Sequence, residues 1–226
     1  QGPKQAVIGS AAAEDQLKRR RFEERAIADA VLDRMEATER LVFEVAQASG
    51  ALQRLRGSLA AALGVAEKRL ELRKGRPEAE QIDDAFQEAL ESEVSMLRVA
   101  RSQLKSQSEL GKDLLQPLTE ARDEVQQRRL TLHVDRTGQA WPFLESVRER
   151  EVAAERYCKA AAGTVQDVEQ RVEKATARTV AAMRKRLAET LDMRRQLEAE
   201  VKEARTAIGE AERRLERMQR RLRDHP

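Results

Sequence analysis

Aromatic side chains are almost missing from this chain: four Phe, one Trp and one Tyr make up 3% of its 226 residues. Aromatic residues dominate the energetics of most cores, so this supply cannot fill the thick core of an ordinary enzyme of this length. Glycine (ten) and proline (five) are also sparse, which leaves few places for a helix to break. The single cysteine, Cys158, excludes an internal disulfide and a cysteine-based zinc cluster, and it is compatible with a reducing compartment. No apolar run reaches the roughly 18 residues that a membrane span needs. The N-terminus lacks the basic start and apolar stretch of a secretory signal. An excess of one charge sign is missing too: 43 basic residues face 40 acidic ones, for a net charge of +3, whereas nucleic-acid binders show a clustered basic surplus. The chain begins at Gln1 rather than Met, which reads as part of a longer protein.

What remains is Ala, Leu, Glu, Arg and Gln, the residues that lose least on entering a helix. High charge also marks disordered chains, but periodicity decides for helices here. Residues 1–12, with Gly2, Pro3, Gly9 and Ser10, read as an extended tail. Helix one is expected over 13–75. Val31, Met35, Thr38, Val42, Val45, Ser49 and Leu52 recur in alternating steps of four and three, the seam of a coiled coil. The seam continues through Leu55, Leu59, Ala62 and Ala66 after a three-residue slip, which locally overwinds a coiled coil. Gly75 and Pro77 end it.

Helix two is expected over 78–133. Leu90, Leu97, Leu104, Leu118, Val125 and Leu132 form a seven-residue ladder, with Gly111 in the missing rung and a kink expected near Pro117. A linker over 134–140 leads to a long helix three over 141–226, with Pro142 suited to its first turn. Leu197, Val201, Ala204, Ile208, Ala211, Leu215, Met218 and Leu222 give the most regular heptad of the chain. At 1.5 Å per residue this helix reaches on the order of 120 Å and has to pack on neighbouring helices. The fold class is therefore all-α: coiled-coil-type helices forming an elongated hairpin or bundle rod.

Chemistry-bearing motifs are missing. There is no Gly-rich phosphate loop and no nucleophile elbow. His133 and His225 stand apart near expected helix ends, where the dipole favours them. No catalytic, cofactor-binding or metal-ligating residue is expected, and the chain reads as a non-enzyme. Candidate partner contacts are Trp141 and Phe143 at the opening of helix three and two basic clusters, Arg184-Lys185-Arg186 and Arg213, Arg214, Arg217, Arg220 and Arg221. A third cluster, Lys18 to Arg21, begins helix one. Acidic residues alternate with these, so a solvated helix face accounts for each cluster taken alone. The helix-packing seam is expected to comprise Val31, Met35, Val42, Val45, Leu90, Leu97, Leu104, Leu118, Leu197, Val201, Ile208, Leu215, Met218 and Leu222.

Several stretches resemble the tektins, filament-forming proteins of ciliary and flagellar microtubules. Leu63 to Pro77 (LGVAEKRLELRKGRP), followed by Ile82-Asp83-Asp84 and by Glu91 to Leu97 (ESEVSML), is similar to a tektin stretch of the form PL..A..CL..RE.R before an Asp-containing loop and an acidic helix. Leu110 to Leu114 (LGKDL) resembles the tektin L.KDL segment. Trp141-Pro142-Phe143 with Ala154-Glu155-Arg156 resembles the opening of the tektin second half. The tektin signature RPNVELC has no counterpart. The resemblance implies a structural element of the axonemal doublet microtubule in the cytoskeleton of a cilium or flagellum. It implies contacts with tubulin and other axonemal coiled-coil proteins, through self-association or hetero-assembly; the balanced charge speaks against a nucleic-acid partner, and a membrane partner is not the expectation. The competing expectation is a membrane-curving helical dimer of the BAR type, favoured by three long helices and basic clusters and opposed by the interleaved acidic residues.

Overall fold

The computed structural model describes residues 2–76, 84–131 and 139–224. Those residues form three α-helices and no strand: α1 (Gly2–Lys74), α2 (Ala85–Thr131) and α3 (Ala140–Asp224). They divide into two compact units, one of Gln1–Lys68 with Val94–Val172, the other of Arg69–Glu93 with Glu173–Pro226.

In the first unit α1 and α2 run antiparallel. Arg98 pairs with Glu67 at 2.7 Å, Ser49 meets Ser108, and Ile27 and Val31 share a cluster with Ala121 and Val125. α3 is antiparallel to α2 in turn, and adds Leu144 and Val147 to that cluster. Each helix contributes one narrow apolar stripe. On α1 the buried side chains Val31, Thr38, Val45, Leu52, Leu59 and Ala66 recur every seven residues, with Leu41 and Leu63 beside them. On α2 they are Leu97, Leu104, Leu118 and Val125, with Ala100 and Ala121. On α3 they are Val147, Ala154, Ala161 and Val168. The expected seam residues Val31, Val45, Leu97, Leu104 and Leu118 are buried, and Met35 and Val42 half-buried.

The vacant rung of the α2 ladder is occupied from another helix. A methyl group at Gly111 would overlap the Tyr157 hydroxyl and lie 2.6 Å from its Cζ. Tyr157 therefore lays its ring over bare α2 backbone. Its hydroxyl reaches toward Ser49 without a hydrogen bond of good geometry. Beside it, Gln53 donates to Ser108 Oγ at 3.1 Å. A second polar layer is centred on Glu151, which has no exposed surface. Arg34 and Arg148 both donate to its Oε2, while Oε1 has no hydrogen-bond partner. Burial pushes the Glu151 carboxyl above its ordinary pKa, and the two guanidinium groups pull it only part of the way back.

The second unit is held by Asp84. This residue is not helical, and its side chain caps α2: the Gln87 amide donates to Asp84 Oδ1 at 2.9 Å, satisfying one of the amides that the first turn leaves unpaired. Arg73, near the end of α1, donates to the same Oδ1 at 2.9 Å and to Gln87 Oε1 at 2.7 Å, and stacks 4.9 Å from the Phe86 ring centroid. Arg186 of α3 lies 3.3 Å from Oδ2. One carboxylate thus joins three helices. Burial raises its pKa, but the Gln87 amide and the two arginines outweigh that and hold it below the ordinary Asp value. Leu90 packs here with Ala89, and Thr179 donates to the Ala89 carbonyl at 3.3 Å.

Four sequence expectations change. Residues 2–12 are not an extended tail but the first turns of α1; Pro3 falls in the opening turn, where proline costs little, and the Ala-rich stretch after it favours helix. Helix two begins at Ala85 rather than at 78, because Asp84 caps it. Helix three begins at Ala140. Ala62 of the expected seam is exposed and Leu63 is buried in its stead. Pro117 lies inside α2, which continues beyond it. Pro77, Leu132, His133, His225 and most of the expected 134–140 linker lie outside the described residues, as does the side chain of Leu222.

Gly111→Ala will destabilise the chain even though Ala is the better helix former by about 1 kcal/mol. Overpacking against Tyr157 costs about 1–3 kcal/mol, so urea unfolding will show a lowered midpoint, and Tyr157→Leu in the Gly111→Ala background will recover it. The two carboxylates, Glu151 buried and Asp84 partly buried, respond to pH in opposite senses. Asp84, with a lowered folded-state pKa, contributes fully above the ordinary Asp range, and the contribution is lost as pH falls through the lowered value. Glu151, with a raised one, contributes fully below the ordinary Glu range, and loses it as pH rises through the raised value. Thermal melts across pH 3–8 will show Asp84→Asn, which keeps a capping oxygen, flattening the acid limb; Glu151→Gln will remove the loss on the rising side.

Candidate assembly surfaces

No cluster of three His, Cys, Asp or Glu side chains able to hold a metal ion occurs among the described residues, and no described helix is long and apolar enough to cross a membrane. Cys158 is half-buried, and burial, reinforced by the nearby Glu44 carboxylate, raises its pKa. The thiolate that a reactive cysteine requires is therefore disfavoured. What the molecule offers instead is surface.

The most extensive is a face of α3. From Leu187 onward α3 has no buried side chain up to Arg221. Leu197, Val201, Ile208, Leu215 and Met218 each expose more than half of their surface. These are the side chains of the most regular heptad in the sequence. Leu187, Leu191 and Met193 extend the apolar face one turn and more toward the N-terminus. In a soluble monomer exposed apolar residues are normally scattered; a stripe of this length at coiled-coil spacing is shaped to receive another helix.

The basic clusters separate on inspection. Arg184 and Lys185 are exposed, whereas Arg186 is engaged with Asp84 and Glu189 within its own unit. In the C-terminal cluster, Arg213 and Arg217 turn back along their own helix to the Gly209 and Arg213 carbonyls, and Arg220 faces Glu216 at 4.0 Å. Arg214 and Arg221 are exposed. The pair at the start of α3 also separates. Phe143 packs against the Ile27–Val125 cluster with Arg128 4.0 Å above its ring, while Trp141 is 53% exposed. An exposed indole on a rigid helix is the type of side chain that anchors partner contacts.

The sequence names Asp84 only within the tektin-like stretch, with no capping role, and does not reveal the Tyr157–Gly111 contact. The first carries a local signal, since Asp84 and Gln87 have the spacing of a capping box. The second carries none, because it joins residues 46 positions apart (157 − 111).

Residues 8–138, more than half of the chain, match the tektin family. The match takes in α2 whole and nearly all of α1, and ends before α3. None of the curated proteins matches the chain. Three long helices with seven-residue apolar ladders agree with the family match, and the chain belongs to the tektin family, whose members are structural proteins of cytoskeletal filaments.

Proposed function

We propose that this chain is a structural element of ciliary or flagellar axonemal doublet microtubules, and that it assembles through the exposed seam of α3. Its work is mechanical: α1, α2 and the first half of α3 supply packed helices, and the remainder of α3 supplies adhesion to a second copy of the same segment. The observation that carries this reading is the unpartnered stripe from Leu197 to Met218. With Val201, Ile208 and Leu215 at one core position and Leu197, Ala204, Ala211 and Met218 at the other, branched residues alternate with small or flexible ones, and β-branched residues at the first position favour two parallel strands. In that register Glu200 of one copy faces Arg205 of the other, twice by symmetry, and no like charges oppose one another at the flanking positions from Glu200 to Arg221. The assembled form would then lie against tubulin and other axonemal coiled-coil proteins, with Trp141, Arg184, Lys185, Arg214 and Arg221 as the exposed contacts.

The test is sedimentation equilibrium of the chain together with its co-sedimentation with assembled microtubules and with anionic liposomes at two salt concentrations. A concentration-dependent dimer is expected, abolished by Ile208→Asp with Leu215→Asp while circular dichroism still reports a helical chain. Pelleting is expected with microtubules and not with liposomes. A chain that remains monomeric at tens of micromolar sinks the α3 seam as the assembly surface. Salt-sensitive pelleting with liposomes alone would turn the reading to a membrane-curving dimer.

A further inference from the structure

Between α1 and α2 of the first unit lies a polar groove of about 370 Å³. Four cations line it: Arg56 from α1, and Arg101, Lys105 and Lys112 from α2. Glu109 is the one carboxylate on its rim, 3.8 Å from Lys105 with both side chains mostly exposed, which is a weak pairing in water. Arg56, Arg101 and Lys112 have no ion-pair partner among the described residues. Arg101 Nε is moreover buried without a hydrogen-bond partner, a condition that folded proteins avoid unless a ligand or water completes the site. These residues stand apart from the basic clusters of α3, and neither the fold nor the α3 seam makes use of them.

The shape narrows the ligand. Gly57 and Ala60 form the α1 side, and a Cβ built on Gly57 meets nothing within 4 Å, so a chain can approach the backbone closely there. Arg101 and Lys105 are one helical turn apart, about 6 Å along the axis, and Lys112 is about 10.5 Å further. Alternate side chains on one face of an extended peptide recur about every 6.6–7 Å, so carboxylates two residues apart match the first pair. A third carboxylate on the same face, four residues from the first and about 13–14 Å along the strand, comes within reach of the long Lys112 side chain. Gln53 spends its amide N–H on Ser108 Oγ, leaving its carbonyl oxygen as an acceptor for a peptide N–H. No aromatic ring lines the groove to stack a base, and Glu109 interrupts the positive track that a continuous polyphosphate would follow. We infer that this groove binds an extended, carboxylate-rich peptide segment of a partner protein, with Arg101 as its bidentate anchor.

The full chain is titrated into fluorescein-labelled hexaglutamate and read by fluorescence anisotropy at low and at moderate salt. Arg101→Gln with Lys105→Gln will weaken binding at least tenfold, and Arg213→Gln with Arg214→Gln, elsewhere on the surface, less than twofold. The decisive variant is Gly57→Leu, which fills the groove without changing any charge and which improves helix propensity, so that the fold is retained. It will weaken binding at least fivefold. Hexaglutamate binding that Gly57→Leu leaves untouched, or that the α3 substitutions weaken as much as the groove substitutions do, would show diffuse charge attraction and overturn the assignment. So would displacement of hexaglutamate by millimolar inorganic phosphate, which would mark a simple anion site. Because the groove variants lie on α1 and α2, loss of peptide binding in them with an intact α3-dependent dimer separates this site from the proposed assembly seam.

Discussion

With six aromatic residues in 226, burial has to be achieved by aliphatic side chains of modest size, and that requires helices to approach closely along a narrow stripe. The seven-residue recurrence follows from this constraint. Seven residues make nearly two turns of a 3.6-residue helix, so an apolar stripe at that spacing drifts only slowly, and a slight winding of the helices about one another keeps it facing another such stripe over many turns. Val31 to Ala66 on α1, Leu97 to Val125 on α2 and Val147 to Val168 on α3 satisfy it together. Hydrophobic burial of this kind is non-directional, and heptads resemble one another, so the stripes give adhesion but little choice of register. The polar contacts provide the choice: Arg34 and Arg148 on Glu151 in the first unit, Arg73 and Arg186 on Asp84 in the second, and the Tyr157 ring over Gly111.

Buried ion pairs rarely add net stability, because desolvation offsets the attraction, yet removing one partner is costly. That asymmetry suits a register device. Asp84 and Glu151 illustrate two solutions. Asp84 gains an amide and two guanidinium groups, and its charged form is favoured. Glu151 is more deeply enclosed, leaves one oxygen unpartnered, and its charged form is disfavoured despite two arginines.

Periodicity made much of this legible from sequence. The α2 ladder was readable from Leu90 to Val125 because all but one of its filled rungs are leucines at a constant spacing, and on α1 the expected Val31, Val45, Leu52, Leu59 and Ala66 are buried. The failures have physical causes. Ala62 and Leu63 exchange roles because both lie near the stripe and the larger apolar side chain gains more from burial. The start of α2 was misplaced because Gly75 and Pro77 were read as the whole break, while the cap that sets the helix, Asp84, lies seven residues after Pro77. The C-terminal heptad was expected to be a packing seam, and its side chains are exposed in this chain, because periodicity reports which way side chains point and not whether a neighbour lies within the same chain. Long-range pairs, such as Tyr157 with Gly111, leave no local trace at all.

The notch at Gly111 has a mechanical consequence. Apolar stripes can slide past one another by whole heptads, about 10.5 Å at a time, exchanging like contacts for like. A phenol ring seated where a side chain is missing cannot do so, because the next rungs of the ladder carry leucines, Leu104 and Leu118. Under axial load, α3 would have to lift Tyr157 clear of α2 before it could move. The first unit therefore resists shear through a keyed joint, and its stiffness along the helix axis depends on one tyrosine and the absence of one side chain.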